Sequence, residues 1–291
     1  MLDQAQRLRQ MAVKGNEANK TGKTPRIITV TSGKGGVGKS NFVVNLSIAI
    51  QKTGKKVLIF DADIGMGNDD VLMGFLPKYN VFDVIFNNKN IEDVVIEGPF
   101  GVKLLPGGSG VARINEITNS QRNSFLDKLS NLEDLDYIIM DTGAGINRSV
   151  LGFISCCDEL ILIVTPEPTS LMDSYSLLKA VVHFKIKSKT KVVINRTFDK
   201  REAEETYNKF QNAVKNFLKM DISYVGNVSE DRKLVLAVKS QEPFIIGSPN
   251  CAAAQDIVKI ANKLIGDSER ENELGKSGIQ GLFKKIFNIF S

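Results

Sequence analysis

Short β-branched and aliphatic runs recur along the chain, separated by stretches with helical spacing. The runs are Ile27–Thr31, Val57–Phe60, Val102–Leu105, Tyr137–Met140, Leu160–Val164, Val192–Ile194 and Ile222–Val225. They are near-continuously apolar rather than alternating, the pattern of strands buried on both faces. Helix-like stretches lie between several of them, among them Phe42–Gln51, Ser170–Val182 and Glu202–Leu218. This order predicts an α/β fold with a mostly parallel, twisted sheet and helices on both faces. No linker-like break interrupts residues 26–265, so a single domain is expected there. No internal repeat is present.

The two ends read differently. Residues 1–25 are polar and basic, with a short helical pattern (Leu2, Ala5, Leu8) that runs out into Gly, Asn, Lys and Pro, the composition of a linker. Residues 266–278 are a charged, Gly-containing spacer. Beyond it, Ile279, Leu282, Phe283, Ile286, Phe287 and Phe290 recur at helical spacing and form one apolar stripe, while Lys284 and Lys285 lie off it. Such a stripe suits a membrane interface: aromatic side chains enter the headgroup boundary and lysines favour an anionic surface. The alternative is a helix docked on the chain's own core or in a partner's groove.

Composition narrows the classes. At 42% hydrophobic the chain has the material for a large core. Its formal charge of +5, from 38 Lys+Arg against 33 Asp+Glu, is too mild to argue for nucleic acid by bulk attraction. Three cysteines, an odd count without metal-ligand spacing, fit a reduced, cytoplasmic chain. No apolar run precedes the first strand or is long enough to span a bilayer, so neither a secretory signal nor a membrane span is expected. The one histidine, His183, falls on an expected helix and reads as structural.

The chemistry is concentrated where strands end. After Ile27–Thr31 come Gly33, Lys34, Gly35, Gly36, Val37, Gly38, Lys39 and Ser40, and then an apolar helical pattern. Strand, glycine-rich turn and helix start are the context that a phosphate-binding loop requires. Glycines let successive N–H groups converge on phosphate oxygens, and the helix N-terminus adds partial positive charge. Lys39 would reach the β- and γ-phosphates of ATP, and the Ser40 hydroxyl would ligate Mg²⁺. Two further strands end in acids: Val57–Phe60 runs into Asp61 and Asp63, and Tyr137–Met140 into Asp141. Carboxylates at the C-terminal ends of parallel strands sit where open α/β sheets bind ligands. The plainer alternative is that these acids cap helices.

Lys34, early in Lys-Gly-Gly-Val-Gly-Lys-Ser, makes the loop resemble that of the deviant Walker A ATPases, the MinD/ParA family. The resemblance implies that Lys34 acts in trans, across an ATP-bound homodimer, and stabilises charge in the transition state as an arginine finger does. It also implies that Asp141 is the Walker B acid holding Mg²⁺. Asp61 and Asp63 then orient the attacking water, with Asp63 favoured for that task and Asp61 supporting it. Asn195, after Val192–Ile194, resembles the adenine-contacting asparagine of the family; a turn-forming Asn is the alternative.

Departures from the shared motifs separate the branches. Cys156 and Cys157 lie outside any cluster-holding spacing, which sets aside the nitrogenase iron protein. The single ATPase copy sets aside the duplicated arsenite-pump type. The stretch Asp61 to Gly74 is similar to the MinD/FlhG branch, as is Val228-Ser229-Glu230-Asp231, although that branch commonly has proline where Ser229 stands. The N-terminal Asp3-Gln4-Ala5-Gln6-Arg7-Leu8-Arg9 resembles the activator segment of FlhG-type regulators of flagellar number and placement. That resemblance implies docking on the FlhF-type SRP GTPase, with Gln4 helping to place that enzyme's catalytic water; a frayed amphipathic helix is the alternative. It further implies flagellar switch (C-ring) proteins as partners, and a location reversibly peripheral at the cytoplasmic face of the cell membrane. The expected activity is slow ATP hydrolysis coupled to dimerisation. A MinD-like division-site ATPase and a nucleotide-sensing adaptor without turnover are the rival readings. A DNA-segregation role is disfavoured by the Phe-rich terminus.

Overall fold

The computed structural model describes residues 24–63, 67, 69–108, 116–129, 132, 134–270 and 278–290. The N-terminal segment with Gln4 and most of the spacer 266–278 lie outside the described residues.

Each of the seven apolar runs forms a strand: β1 (Arg26–Ser32), β2 (Val57–Ala62), β4 (Lys103–Leu105), β5 (Tyr137–Ala144), β6 (Glu159–Val164), β7 (Lys189–Thr197) and β8 (Asp221–Ser229). An eighth, β3 (Ile96–Glu97), is too short to leave a pattern in the sequence. The sheet order is β3-β4-β2-β5-β1-β6-β7-β8, and every described pairing is parallel except β3 with β4. Side chains alternate between two cores, as a period of two requires. In β1, Ile27 faces one core while Ile28 and Val30 face the other; in β5, Ile138 and Met140 oppose Tyr137 and Ile139.

On one face lie α1 (Lys39–Gln51) and α10 (Ala252–Arg270), with the short α8 (Arg232–Ser240) and α9 (Phe244–Gly247) beside them. Helix α1 is apolar nearly all round because it is sandwiched between the sheet and α10. On the other face lie α3 (Val81–Phe86), α4 (Asn119–Lys128), α5 (Arg148–Cys156), α6 (Pro168–His183) and α7 (Lys200–Ala213). A four-residue turn, α2 (Asp69–Leu72), follows β2. The expected helix Glu202–Leu218 is not uniform: after Ala213 it widens into a π turn, Val214–Leu218, and stops at Lys219 in the left-handed region (φ 52°). Helix α10 runs on to Arg270, past the expected domain edge at residue 265.

The last helix is α11 (Ile279–Phe290). In this structure its stripe is docked on the chain's own core, the second of the two placements the sequence allowed. Ile279, Leu282, Phe283, Ile286 and Phe287 are buried against α4 and α5, and Ile289 joins them. Phe283 packs 5.1 Å from Phe60 and 5.0 Å from Phe125, centroid to centroid, and Phe287 packs 5.7 Å from Phe125. Arg148 Nη2 donates to the Ile289 carbonyl at 2.8 Å, satisfying one of the carbonyls a helix end leaves open. Gln280 Nε2 donates to the Leu126 carbonyl at 2.9 Å. Lys284 points outward. Phe290's side chain is outside the described set. The apolar stripe fits a groove of the domain as well as it fits lipid, because burial rewards apolar area whichever surface covers it. Among the described residues, no helix is long and apolar enough to cross a membrane.

Candidate nucleotide site

Register builds the site. Parallel pairing sets Val30 beside Asp141 and Asp61 beside Asp141, so the C-terminal ends of β1, β2 and β5 bring the loop and the two acids together. The glycine-rich loop leaves β1 and enters α1 through Gly38, which caps the helix at φ 91°. Gly36 is also at positive φ (75°). Those two left-handed residues bend the loop back on itself, as glycine alone does without strain. A Cβ on Gly35 or Gly36 would meet nothing within 4 Å, so the loop borders open space. On Gly33 it would lie 2.2 Å from the Asp173 and Ser174 backbone of α6. The loop thus has room on its inner side and none on its outer side, which suits a phosphate cradle.

Lys39 is buried, and its Nζ donates to Asp141 Oδ1 at 2.9 Å. Ser40 adjoins Asp141 and favours its ionised form. The expected metal pair, Ser40 and Asp141, is therefore together, with Lys39 holding the acid between them. Burial raises the Asp141 carboxyl above its ordinary value, against the opposing pull of Lys39 and Ser40. Asp61 is buried too; burial, and then Asp141, push it up to about 7. The Asp63 N–H donates to Asp61 Oδ1 at 3.1 Å, while Asp63's own carboxylate reaches over Gly143, where a Cβ would sit 3.0 Å from Oδ1. Asp61 is thus a support for the chain at Asp63, and Asp63 is the more open of the two.

Two further candidate residues have partners in this chain. Asn195 is buried, and its Nδ2 donates to the Val37 carbonyl at 2.7 Å. It ties the end of β7 to the phosphate loop, and its second N–H and its carbonyl are not used by that bond. Lys34 does not point along its own loop. Its Nζ donates to Glu167 Oε2 at 2.6 Å and Thr169 Oγ1 at 2.8 Å, at the start of α6. Lys34 in turn holds the Glu167 carboxyl below its usual range. Glu167 is the cap residue of α6, yet its side chain makes no capping bond because Lys34 takes it.

Sequence reasoning missed Glu167, Thr169 and Asp69. The first two come just past the C-terminal end of β6, the same edge of the sheet toward which Asp61 and Asp141 lie on β2 and β5, and that position was a usable signal. Asp69 is fully buried, with burial, and then Asp141 and Asp61, holding its carboxyl well above the ordinary value. Beneath Asp61, a void of about 20 Å³ is lined by Phe60, Ala62, Val81, Phe82 and Phe283, so the foot of the site touches the docked α11.

A family model described as "AAA domain" matches residues 25–194. The chain is 34% identical to the antiactivator FleN of Pseudomonas aeruginosa, over 82% of this chain and 86% of that one. It is 32% identical to the flagellum site-determining protein YlxH of Helicobacter pylori, over 90% and 89% respectively. Among solved structures, it is similar to one from the MinC:MinD cell division protein complex of Aquifex aeolicus, with TM-score 0.65, 29% identity, and coverage of 83% of this chain and 96% of that one. With a model matching more than half its length, and two such relatives spanning most of both chains, this protein belongs to the MinD/ParA family of P-loop ATPases, in the FleN/YlxH (FlhG) branch.

Proposed function

We propose that this ATPase is a nucleotide-driven switch controlling flagellar number or placement. The observation that carries the reading is the loop built around Lys39, Ser40 and Asp141, with Lys34 standing at its outer rim. ATP·Mg²⁺ would lie along the loop's open side. Lys39 would leave Asp141 for the β- and γ-phosphates, and Ser40 and Asp141 would hold the metal, which supplies charge neutralisation at the phosphoryl group. Asp63 would orient water, with Asp61 fixing Asp63.

Lys34 has to leave Glu167 and Thr169 to act in a second copy. A pair between two part-exposed side chains holds weakly, so a partner's phosphates can outcompete it. Three exposed apolar side chains, Ile146, Met172 and Phe198, follow β5, lie on α6 and follow β7 at the same end of the sheet. They supply the surface such a partner would cover. Helix α11 would be stowed in the resting form and freed in the ATP form, where two copies give the avidity one short helix lacks. Anionic membrane at the cytoplasmic face is its proposed target. The segment around Gln4 would act on the FlhF-type GTPase, and flagellar switch proteins would bind the ATP form.

The test is particle mass by size exclusion with ATP, with ADP and without nucleotide, paired with sedimentation on anionic liposomes. Wild type should double its mass and sediment with ATP only, and Lys39→Gln should do neither. A Lys39→Gln protein that sediments like wild type sinks the membrane switch. Separately, a peptide of residues 1–23 should accelerate GTP hydrolysis by purified FlhF; no acceleration would favour a MinD-like division-site role.

A further inference from the structure

Asp69 opens the turn α2, directly after the Asp61–Asp63 stretch. It is 0% exposed, and among the described residues no group donates a hydrogen bond to its carboxylate oxygens; the side chain it meets is another acid, Asp141. Buried carboxylates are rare unless something answers their charge, and an unanswered one is costly. The side chain's charged neighbours are Asp141, Asp61 and Lys39. Lys39 is already committed to Asp141 Oδ1 at 2.9 Å. Asp61 is itself acted on by Asp141, Asp63 and Asp70. Asp69 and Asp61 thus both bear on Asp141, the acid that Lys39 holds, in a pocket whose low dielectric magnifies their repulsion when ionised. Asp70 Oδ1 is also buried without a partner.

These buried acids lie beside the two residues placed to hold Mg²⁺, and a cation is what would answer them in their ionised form. The structure thereby assigns a further residue to the metal site: we propose that Asp69 is a positioning carboxylate that acts on the Mg²⁺ water shell from beside Asp141. Among the described residues, no three His, Cys, Asp or Glu side chains form a ready-made metal cage, and none is needed. The cation would arrive with the phosphates, and Asp69 would answer its charge and hold its bound water. This inference rests on the Mg²⁺–nucleotide reading above. It explains why an acid is kept where the fold offers only burial: the charge is unfavourable in the empty site and favourable in the loaded one.

The test uses the full chain and a fluorescent ADP, with free Mg²⁺ stepped upward from EDTA. For Asp69→Asn, the half-saturating Mg²⁺ concentration should rise about tenfold, the lower end of what loss of an outer partner does to metal sites. ADP affinity in EDTA should be unchanged. Asp69→Leu carries the same expectation and serves if the amide variant does not fold. A Mg²⁺ titration of either variant that overlays wild type overturns the proposal and leaves Asp69 a buried acid with no part in the site. A wild-type curve indifferent to Mg²⁺ would instead sink the Mg²⁺–nucleotide reading itself.

Discussion

Two glycines of one loop have opposite surroundings, and that difference is measurable. Gly33 lies against the α6 backbone, where a Cβ would overlap Asp173 and Ser174 at 2.2 Å. Neither backbone can move aside cheaply, so Gly33→Ala should cost about 1–3 kcal/mol, as overpacking does, and lower the melting temperature. Gly35→Ala meets nothing within 4 Å, so its melting temperature should stay at the wild-type value while ADP binding weakens. Thermal melts of the two variants, with and without ADP, check both halves.

Asp61 gives a pH signature at the same scale. Its carboxyl titrates near 7 in the folded chain and near 3.9 when unfolded. Between those values the folded state holds a proton that the unfolded state has released. Stability of the nucleotide-free protein should therefore fall as pH rises from about 4 to about 7, by up to ~1.4 kcal/mol per unit for one proton, and level off above. Asp69 and Asp141 are shifted in the same direction and steepen the fall. Melts in EDTA across that range should show it, and Asp61→Asn should flatten it. A stability that climbs over this interval would contradict the buried acidic pocket.

At the scale of elements, α11 decides most. Its stripe was legible in the sequence as a helical repeat of large apolar residues, and the choice of surface was not. Hydrophobic spacing says that a face must be covered, never by what. The groove offered by Phe60, Phe125 and Phe153 is assembled from β2, α4 and α5, far apart in the chain, so only folding reveals it. If the helix is stowed there, Phe283→Ala should destabilise the lipid-free protein by about 3–5 kcal/mol, the range for truncating a buried phenylalanine. A chemical denaturation curve unchanged by Phe283→Ala would mean that α11 contributes nothing to the fold. The π turn at Val214–Leu218 was invisible for a related reason: apolar spacing marks a face and does not report one extra residue in a turn.

At the scale of the molecule, the sheet order places three acid- or glycine-bearing strand ends side by side, and α6 closes the loop from outside. Lys34 shows what that arrangement adds. Its place early in the loop underlies the proposal that it acts in a second copy, but only the packing of α6 against the loop supplies Glu167 and Thr169 as its partners in this chain. Glu167→Gln should loosen that hold, so dimerisation, followed by particle mass across an ATP series, should begin at lower ATP than in wild type. A shift to higher ATP would show that Glu167 serves the dimer instead.

The sequence by itself determined the strands, the glycine-rich turn between β1 and α1, and the acids carried on β2 and β5. These follow from local rules: β-branched runs, glycines at positive φ, and acids at strand ends. Tertiary structure alone decided that Asn195 braces the loop through Val37, that Asp61 underpins Asp63, that Asp69 is sealed beside the metal pair, and that α11 lies on its own core. Each of these depends on which distant surfaces meet and what they leave unpaired, and a linear pattern carries no record of that.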